Sequence, residues 1–503
     1  MKNWIIQKNW VTLHPDFQKM RIDFTLKFAI LVLLICGATL AKADKEIWLL
    51  ADIHVMAPSL LDSSDNKAWL KDLADQRKMQ DLSAPVFDAL VERVIAEKPD
   101  ALLICGDLTK DGEKASHDYV INKLTKIEDT GIPVYVIPGN HDHGPMEECR
   151  QYANNTYTTA AGGYTEDQFR QAYKHFGFGD DSEIHDTSLS YAVELFPGLS
   201  LIGIDTGNVA HVRKSSIYFA TDKANEARKK GNQVIAMAHH SLIPHIYGQE
   251  SIMVYSCIDP AERLRDSLMN AGVKVVFTGH YHISDNTRYT DSEGREIYDL
   301  CTGSPISYPC DFRKLVFDDE FQQIKITTES ITELEGYDNF PAYAKGRLEE
   351  AFLTWAQNWV AQQTTNELIS GAISQSVADA FIIHAEGNEP DNPKTPETMT
   401  LYDDILFFLP RLEGGDHEKI ESLCLSMKSM LGDYPSEDES DNIVNDRELT
   451  ITLWGDPSAI RGVQQFDNKA KESPWYTLQG QRLQGKPTKS GIYIYKGRKR
   501  IVH

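Results

Sequence analysis

Five nearly continuous apolar runs in this 503-residue chain each stop at a short polar stretch. Glu46–Ala51 leads into Asp52-Ile53-His54, Ala101–Cys105 into Gly106-Asp107, and Val134–Pro138 into Gly139-Asn140-His141-Asp142. Val234–Ala238 leads into His239-His240, and Val273–Thr278 into Gly279-His280-Tyr281-His282. Apolar runs this short and this unbroken are strands covered on both faces. Val86–Ala96 and Asp259–Ala271 carry apolar residues at helical spacing, and each lies just before a strand. Strands alternating with helices define an α/β layer architecture. In such folds, groups beyond the carboxyl ends of the strands converge on one crevice.

The polar stretches supply carboxylates, several imidazoles and one side-chain amide. This mixed oxygen and nitrogen set suits manganese, iron or zinc, and it lacks the thiolates of a structural zinc site. A carboxylate can bridge two cations, and Asp107 is placed in the series to do so. Two cations about 3.5–4 Å apart can clamp both oxygens of an in-line displacement and make hydroxide available near neutral pH. Each stretch alone is an ordinary turn, because Asp and Asn readily bond their own backbone. Five in succession, each at a strand end, are specific for a site.

The series resembles the calcineurin-like metallophosphoesterase superfamily over about Glu46 to Ser330. The run Gly106–His117 is most similar to the bacterial phosphodiesterases of that superfamily. The resemblance implies a four-layer sandwich of two mixed sheets flanked by helices. It implies that Asp52, His54 and His282 hold one metal, that Asn140, His239 and His280 hold the second, and that Asp107 bridges. The cofactors expected are two divalent or trivalent ions of manganese, iron or zinc. His141 would act near the leaving group, with Asp142 orienting it. His239 and His240 are adjacent and would diverge along a strand; the resemblance favours His239 as the ligand. Hydrolysis of a phosphodiester by a metal-bound hydroxide is the expected activity. A phosphomonoesterase, or a surface binding protein with a structural metal site, is the alternative. No His-Glu-x-x-His helix and no defined carboxylate pair points to peptide or glycoside hydrolysis.

The formal net charge of −23 speaks against a nucleic-acid partner. It also requires the metals to supply the positive field for a phosphorylated substrate. The expected partner is therefore a small phosphoester, with a membrane involved only in export or surface anchoring. Arg21 and Lys27 precede an apolar run, Phe28–Leu40, which is followed by Ala41-Lys42-Ala43. Basic flank, short apolar stretch and small-x-small site read as a secretory signal over residues 1–43. The protein is expected in the periplasm, on the outer-membrane surface or outside the cell. Six cysteines follow, of which Cys301 and Cys310 are the pair closest to a disulfide reading, although spacing fixes no connectivity.

The catalytic domain is expected over residues 44–330 and a helical lobe over 331–435, where Leu348, Phe352, Trp355 and Trp359 share a helical face. Ser436–Asp441 reads as a solvated acidic linker. The remainder of 436–503 reads as a small β tail, with Tyr476–Gly480 and Gly491–Tyr495 as strands. It resembles C-terminal sorting segments of bacterial proteins exported across the outer membrane. His117 is expected on an exposed helix face, and His384 as a satisfied core residue. Thr109 is expected as a loop hydroxyl bonded to backbone.

Overall fold

In the computed structural model of the protein, the five apolar runs are strands whose carboxyl ends meet at one rim. Described are residues 44–144, 148–363, 367–411, 416–433, 440–443 and 445–453, and the strands of a short C-terminal sheet. The predicted signal segment lies outside the described residues. One sheet has the order β16 (Glu448–Thr452), β14 (Gln323–Ser330), β13 (Asp311–Phe317), β1 (Lys45–Leu50), β2 (Ala101–Cys105), β3 (Val134–Ile137). The second has the order β15 (Ser440–Asn442), β11 (Asp285–Thr290), β12 (Glu296–Cys301), β10 (Val275–Thr278), β9 (Gln233–Ala238), β8 (Leu199–Ile204), β7 (Tyr191–Phe196), β6 (Glu183–Ile184). Both sheets are mixed. β1, β2 and β3 run parallel, as do β8, β9, β10 and β12, and antiparallel strands flank each set.

The two sheets bury one face each against the other. Leu103 of β2 shares a core with Leu201 of β8, Ile235 of β9 and Phe277 of β10, and Cys105 on the same face bonds the Phe277 carbonyl. Helix Ser83–Glu97 covers the outer face of the first sheet through Phe87, Leu90 and Val94. Helices Lys214–Lys229 and Ala261–Asn270 cover the second through Ile217, Ala224, Leu264 and Leu268. Helices, two sheets and helices make the four layers expected. The all-buried strands ALLIC and QVIAMA explain why the sequence showed continuous runs and not alternation.

The helices Phe340–Ala361, Glu367–Glu386, Thr395–Phe408 and His417–Gly432 build a second core. Phe352 and Phe381 stack at its centre with ring centroids 3.9 Å apart. This core reaches Tyr281, Ile283 and Cys301 of the α/β layers, so the helices share a hydrophobic seam with the rim that carries His280 and His282. Aromatic and aliphatic burial of this kind contributes about 1.5–3 kcal/mol per large side chain.

The acidic linker expected at Ser436–Asp441 needs correction where it is described. Ser440–Asn442 is a strand paired with β11, and Glu448–Thr452 pairs with β14. One excursion of the chain thus covers an open edge of each sheet, satisfying backbone groups that a bare edge would leave unpaired. The polar tripeptide Ser-Asp-Asn carries no strand signature in its side chains, and the structure pairs it with β11 through the backbone. The six cysteines from Cys105 to Cys424 are free thiols, and Cys301 and Cys310 are both buried and unpaired.

The chain divides into two compact units at Pro457 and Ser458. In the second, β18 (Arg482–Leu483), β17 (Trp475–Thr477), β19 (Gly491–Tyr495) and β20 (Arg498–Val502) form an antiparallel sheet. Among the described residues, no helix is long and apolar enough to cross a membrane.

Candidate metal centre

Asp52, His54, Asp107, His280 and His282 all adopt positive φ, between 41° and 66°. Non-glycine residues seldom enter that region, and each costs of order 1–3 kcal/mol there unless the surroundings impose it. Here each sharp turn comes directly after a strand and throws a side chain back over the rim. Close backbone approach completes the arrangement. A Cβ on Gly139 would collide with the carboxylate and backbone N of Asp107, and one on Gly106 would stand 2.7 Å from His239 Nδ1. Glycine at these two positions lets the loops after β2 and β3 touch.

The side chains gather into two adjoining clusters. Asp52, His54, Asp107 and His282 bring one ligand atom each within 4.8 Å of one another, and so do His239, His240 and His280. Asp107 stands between them. Its Oδ1 accepts the backbone N–H of His141 at 2.9 Å. Its Oδ2 lies 3.4 Å from His54 Nε2 on one side and 3.3 Å from His239 Nε2 on the other. Asp52 repeats the pattern: Oδ2 accepts the backbone N–H of His280 at 2.8 Å, while Oδ1 is buried, without a hydrogen-bond partner, and 3.3 Å from His282 Nε2. Asn140 Oδ1 lies 3.1 Å from His239 Nε2.

Tautomers follow from the hydrogen bonds. His239 Nδ1 lies 2.8 Å from the Cys105 carbonyl, which can only accept, so Nδ1 carries a proton and Nε2 faces Asp107. His240 Nδ1 is 2.7 Å from Thr206 Oγ1, and its ring lies 4.4 Å from that of His280. His239 is thus the one of the pair that faces both Asp107 and Asn140. His240 lies behind it against His280, with its own Nε2 buried and without a hydrogen-bond partner.

Burial pushes His54, His240, His280 and His282 below the ordinary imidazole range, which keeps their lone pairs available for coordination. His239 goes the other way. Burial lowers it, but the Asp107 and Asp52 carboxylates outweigh burial and raise it to about 9. The negative field that favours a proton there would equally favour a cation. A buried, unpartnered carboxylate oxygen amid neutral imidazoles is a donor set that fits divalent transition metals.

His141 sits at the edge with a side chain 22% exposed, open to a substrate, and its ring meets that of His54 edge-on at 4.9 Å. Asp142 is not its partner. The His141 Nδ1 bonds Asp111 Oδ1 at 3.0 Å, and Asp111 also holds the Lys110 ammonium. Burial raises Asp111, but the His141 bond and the Lys110 charge win and take it to about 2. Burial lowers His141, and the charge of Asp107 together with Asp111 raises it above its ordinary value.

Asp142 is instead buried and accepts the backbone N–H groups of Leu108 at 3.1 Å, Thr109 at 2.9 Å and Gly139 at 2.8 Å. The Thr109 hydroxyl adds a fourth bond at 2.9 Å. Asp142 therefore laces the β2 loop to the β3 loop and so fixes Asp107. An aspartate one residue after a histidine has its side chain directed away from that ring, which is the reason for the correction. Asp142→Ala would orphan three buried N–H groups at about 1–3 kcal/mol each. A loss of about 3 kcal/mol or more in chemical denaturation is expected, together with reduced metal content.

His117 also departs from expectation. It is buried, with Nδ1 2.8 Å from the Tyr173 hydroxyl and Nε2 2.9 Å from the Asp142 carbonyl. The sequence reading missed Asp111 and Lys78. Asp111 follows Asp107 by four residues in the same loop, and that spacing was the available signal. Lys78 brings its Nζ 3.1 Å from His54 Nδ1, and burial lowers its pKa to about 8. Nothing in the polar stretch Asp75–Lys78 distinguishes it.

With this geometry in view, residues 45–284 match the family model described as calcineurin-like phosphoesterase. A calcineurin-like phosphoesterase domain therefore occupies this stretch, somewhat less than half of the chain. The protein is also similar to a dimetal phosphatase from Danio rerio at 13% identity, covering 57% of this chain and 96% of that one with a TM-score of 0.39. It is similar to a purple acid phosphatase from yellow lupin (Lupinus luteus) at 14% identity, covering 59% of this chain and 53% of that one with a TM-score of 0.38. No curated protein matches the sequence.

Proposed function

We propose that this is an exported phosphodiesterase with a dinuclear metal centre. The observation that carries the dinuclear reading is Asp107 Oδ2, set within 3.4 Å of an imidazole nitrogen in each of the two clusters. Asp52, His54 and His282 would hold one ion, Asn140, His239 and His280 the other, and Asp107 would contribute to both, with manganese, iron or zinc as the fitting metals. When bound, such a pair supplies Lewis-acid charge against a phosphate and lowers the pKa of water in contact with it.

The chain's own residues do the rest. His141, held at Nδ1 by Asp111, keeps the proton that its other nitrogen gives to the departing alkoxide. Its exposure and its carboxylate partner are unnecessary for holding metal, which favours an enzyme over a binding protein. The Lys78 amine stands where it can meet a phosphate oxygen.

The preference for a diester rests on the cleft beside His280 and His282. Leu348, Phe352 and Phe381 of the helical lobe line it together with Met253. An apolar wall one side chain away from the candidate ions suits a second, organic ester substituent, which a monoester lacks. With the purified metal-loaded protein, kcat/KM for a bis-aryl phosphate is expected to exceed that for the mono-aryl ester by about tenfold, or about 1.4 kcal/mol of transition-state binding. Turnover of the monoester alone would contradict the diesterase reading. Export is supported by the basic flank, apolar run and Ala41-Lys42-Ala43. The expected mature N-terminus is Asp44, read by N-terminal sequencing of protein recovered outside the cytoplasm.

A further inference from the structure

A second group of buried titratable side chains lies behind the catalytic rim, where the helical lobe meets the second sheet. Asp285 begins β11, His384 lies on the helix Glu367–Glu386, and Glu389 follows it. Asp433 caps the helix His417–Gly432, and Asp446 precedes β16. All five are buried, the most accessible being Asp433 at 8%. Asp285, His384 and Glu389 bring ligand atoms within 4.8 Å of one another, as do Glu389, Asp433 and Asp446, so Glu389 is common to both triads.

Their hydrogen bonding has a consistent form. Asp285 uses Oδ1 on His245 at 2.7 Å, Glu389 uses Oε1 on His384 Nδ1, and Asp446 uses Oδ1 on the Asn286 backbone N–H at 2.8 Å. The other oxygen of each is buried without a hydrogen-bond partner, as are Asp433 Oδ2 and His384 Nε2. One atom of each side chain is anchored in these three cases and the second is left over, which is how ligands are held when their outer contacts orient them. Asp285 Oδ2 and His384 Nε2 lie 3.6 Å from each other, beyond hydrogen-bond reach, and the oxygens left over on Glu389, Asp433 and Asp446 are costly to bury unless a cation or a proton meets them.

Charge points the same way. Burial lowers His245, but Asp285 and Asp299 outweigh it and raise it to about 9, while the Arg313 guanidinium donates to the Asn286 side-chain oxygen and the Asp285 carbonyl and to none of the carboxylates. With Asp299 also 3.7 Å from His245, carboxylates outnumber the cations around them, an excess that a divalent cation would reduce. Without such an ion, burial and mutual repulsion push Asp433 up to about 7 and raise Glu389 and Asp446 well above the usual carboxylate range. Protons are therefore the rival occupant.

We propose that Glu389, Asp433 and Asp446, bordered by Asp285 and His384, bind a third divalent cation that fastens the helical lobe to the phosphoesterase domain. Four carboxylates and a single imidazole make a hard, oxygen-rich site suited to calcium or manganese. The site has a direct mechanical link to the catalytic rim. Tyr281, between His280 and His282, places its ring 5.9 Å from that of His245 and 5.6 Å from that of His384.

The test uses full-length protein, stripped with chelator and dialysed against calcium or manganese chloride, with metal counted by mass spectrometry. Asp52→Asn/Asp107→Asn, which removes catalytic-centre ligands, should still bind an ion and should melt higher when metal is restored. Adding Glu389→Gln/Asp446→Asn to it should remove that ion and the metal-dependent shift in Tm. Wild type carrying only Glu389→Gln/Asp446→Asn should bind one ion fewer than wild type. Equal metal counts with and without Glu389→Gln/Asp446→Asn would overturn the site, and an unchanged or higher Tm alongside them would assign the cluster to protons. Should the amide variants fail to fold, absence of any metal-dependent Tm shift in Asp52→Asn/Asp107→Asn would overturn it equally.

Discussion

Asp107→Asn is expected to abolish phosphoester turnover, by about 10³-fold or more, with loss of at least one catalytic metal ion per chain. The reasoning is local. Among the described residues, Asp107 is the carboxylate within 3.4 Å of both imidazole clusters, and its Oδ1 is already committed to the His141 backbone N–H. Asparagine keeps the size but places an uncharged amide where two cations would share an anionic oxygen. Loss of about 4 kcal/mol of charge stabilisation corresponds to that rate effect. Metal analysis and kcat, measured on the same preparation, check it. A variant with full metal content and activity within tenfold of wild type would remove Asp107 from the bridging position.

His141→Ala is expected to behave differently. Metal content should be retained, because the ring bonds Asp111 and none of the clustered ligand atoms. Turnover of an alkyl phosphodiester should fall about 10²–10⁴-fold, the usual range for losing a general acid. Turnover of a nitrophenyl ester, whose leaving group needs no proton, should change far less. The pH profile supplies a further readout. An acid catalyst must be protonated, and Asp107 and Asp111 hold the His141 pKa above its ordinary value, so activity extends further into the alkaline range. Asp111→Asn removes one of those raising charges and should move the alkaline limb to lower pH. A shift to higher pH, or equal losses on both leaving groups in His141→Ala, would rule out the proton-donor role.

Much of the framework was legible because burial on both faces leaves a signature in sequence. ALLIC and QVIAMA can only be covered strands, and each polar stretch marks where a covered strand reaches the rim. The proximity of the seven ligand candidates followed from that single rule. What the sequence hid was of a different kind. Asp142 and Asp111 are both acidic and both near His141, and only the backbone path decides which meets the ring. His117 reads as an exposed helical residue because its partners, Tyr173 and the Asp142 carbonyl, come from loops with no periodicity. β15 is polar and is held by backbone bonds, to which side-chain patterns are blind. The buried group around Glu389 draws on four separate segments, and no local window contains more than two of its members.

Diffraction from crystals of the manganese- or zinc-loaded protein, collected on both sides of the metal absorption edge, tests the dinuclear centre most directly. Two anomalous peaks about 3.5–4 Å apart are expected in the pocket, one on either side of the Asp107 carboxylate. A single peak there, or none, would contradict a bridged pair.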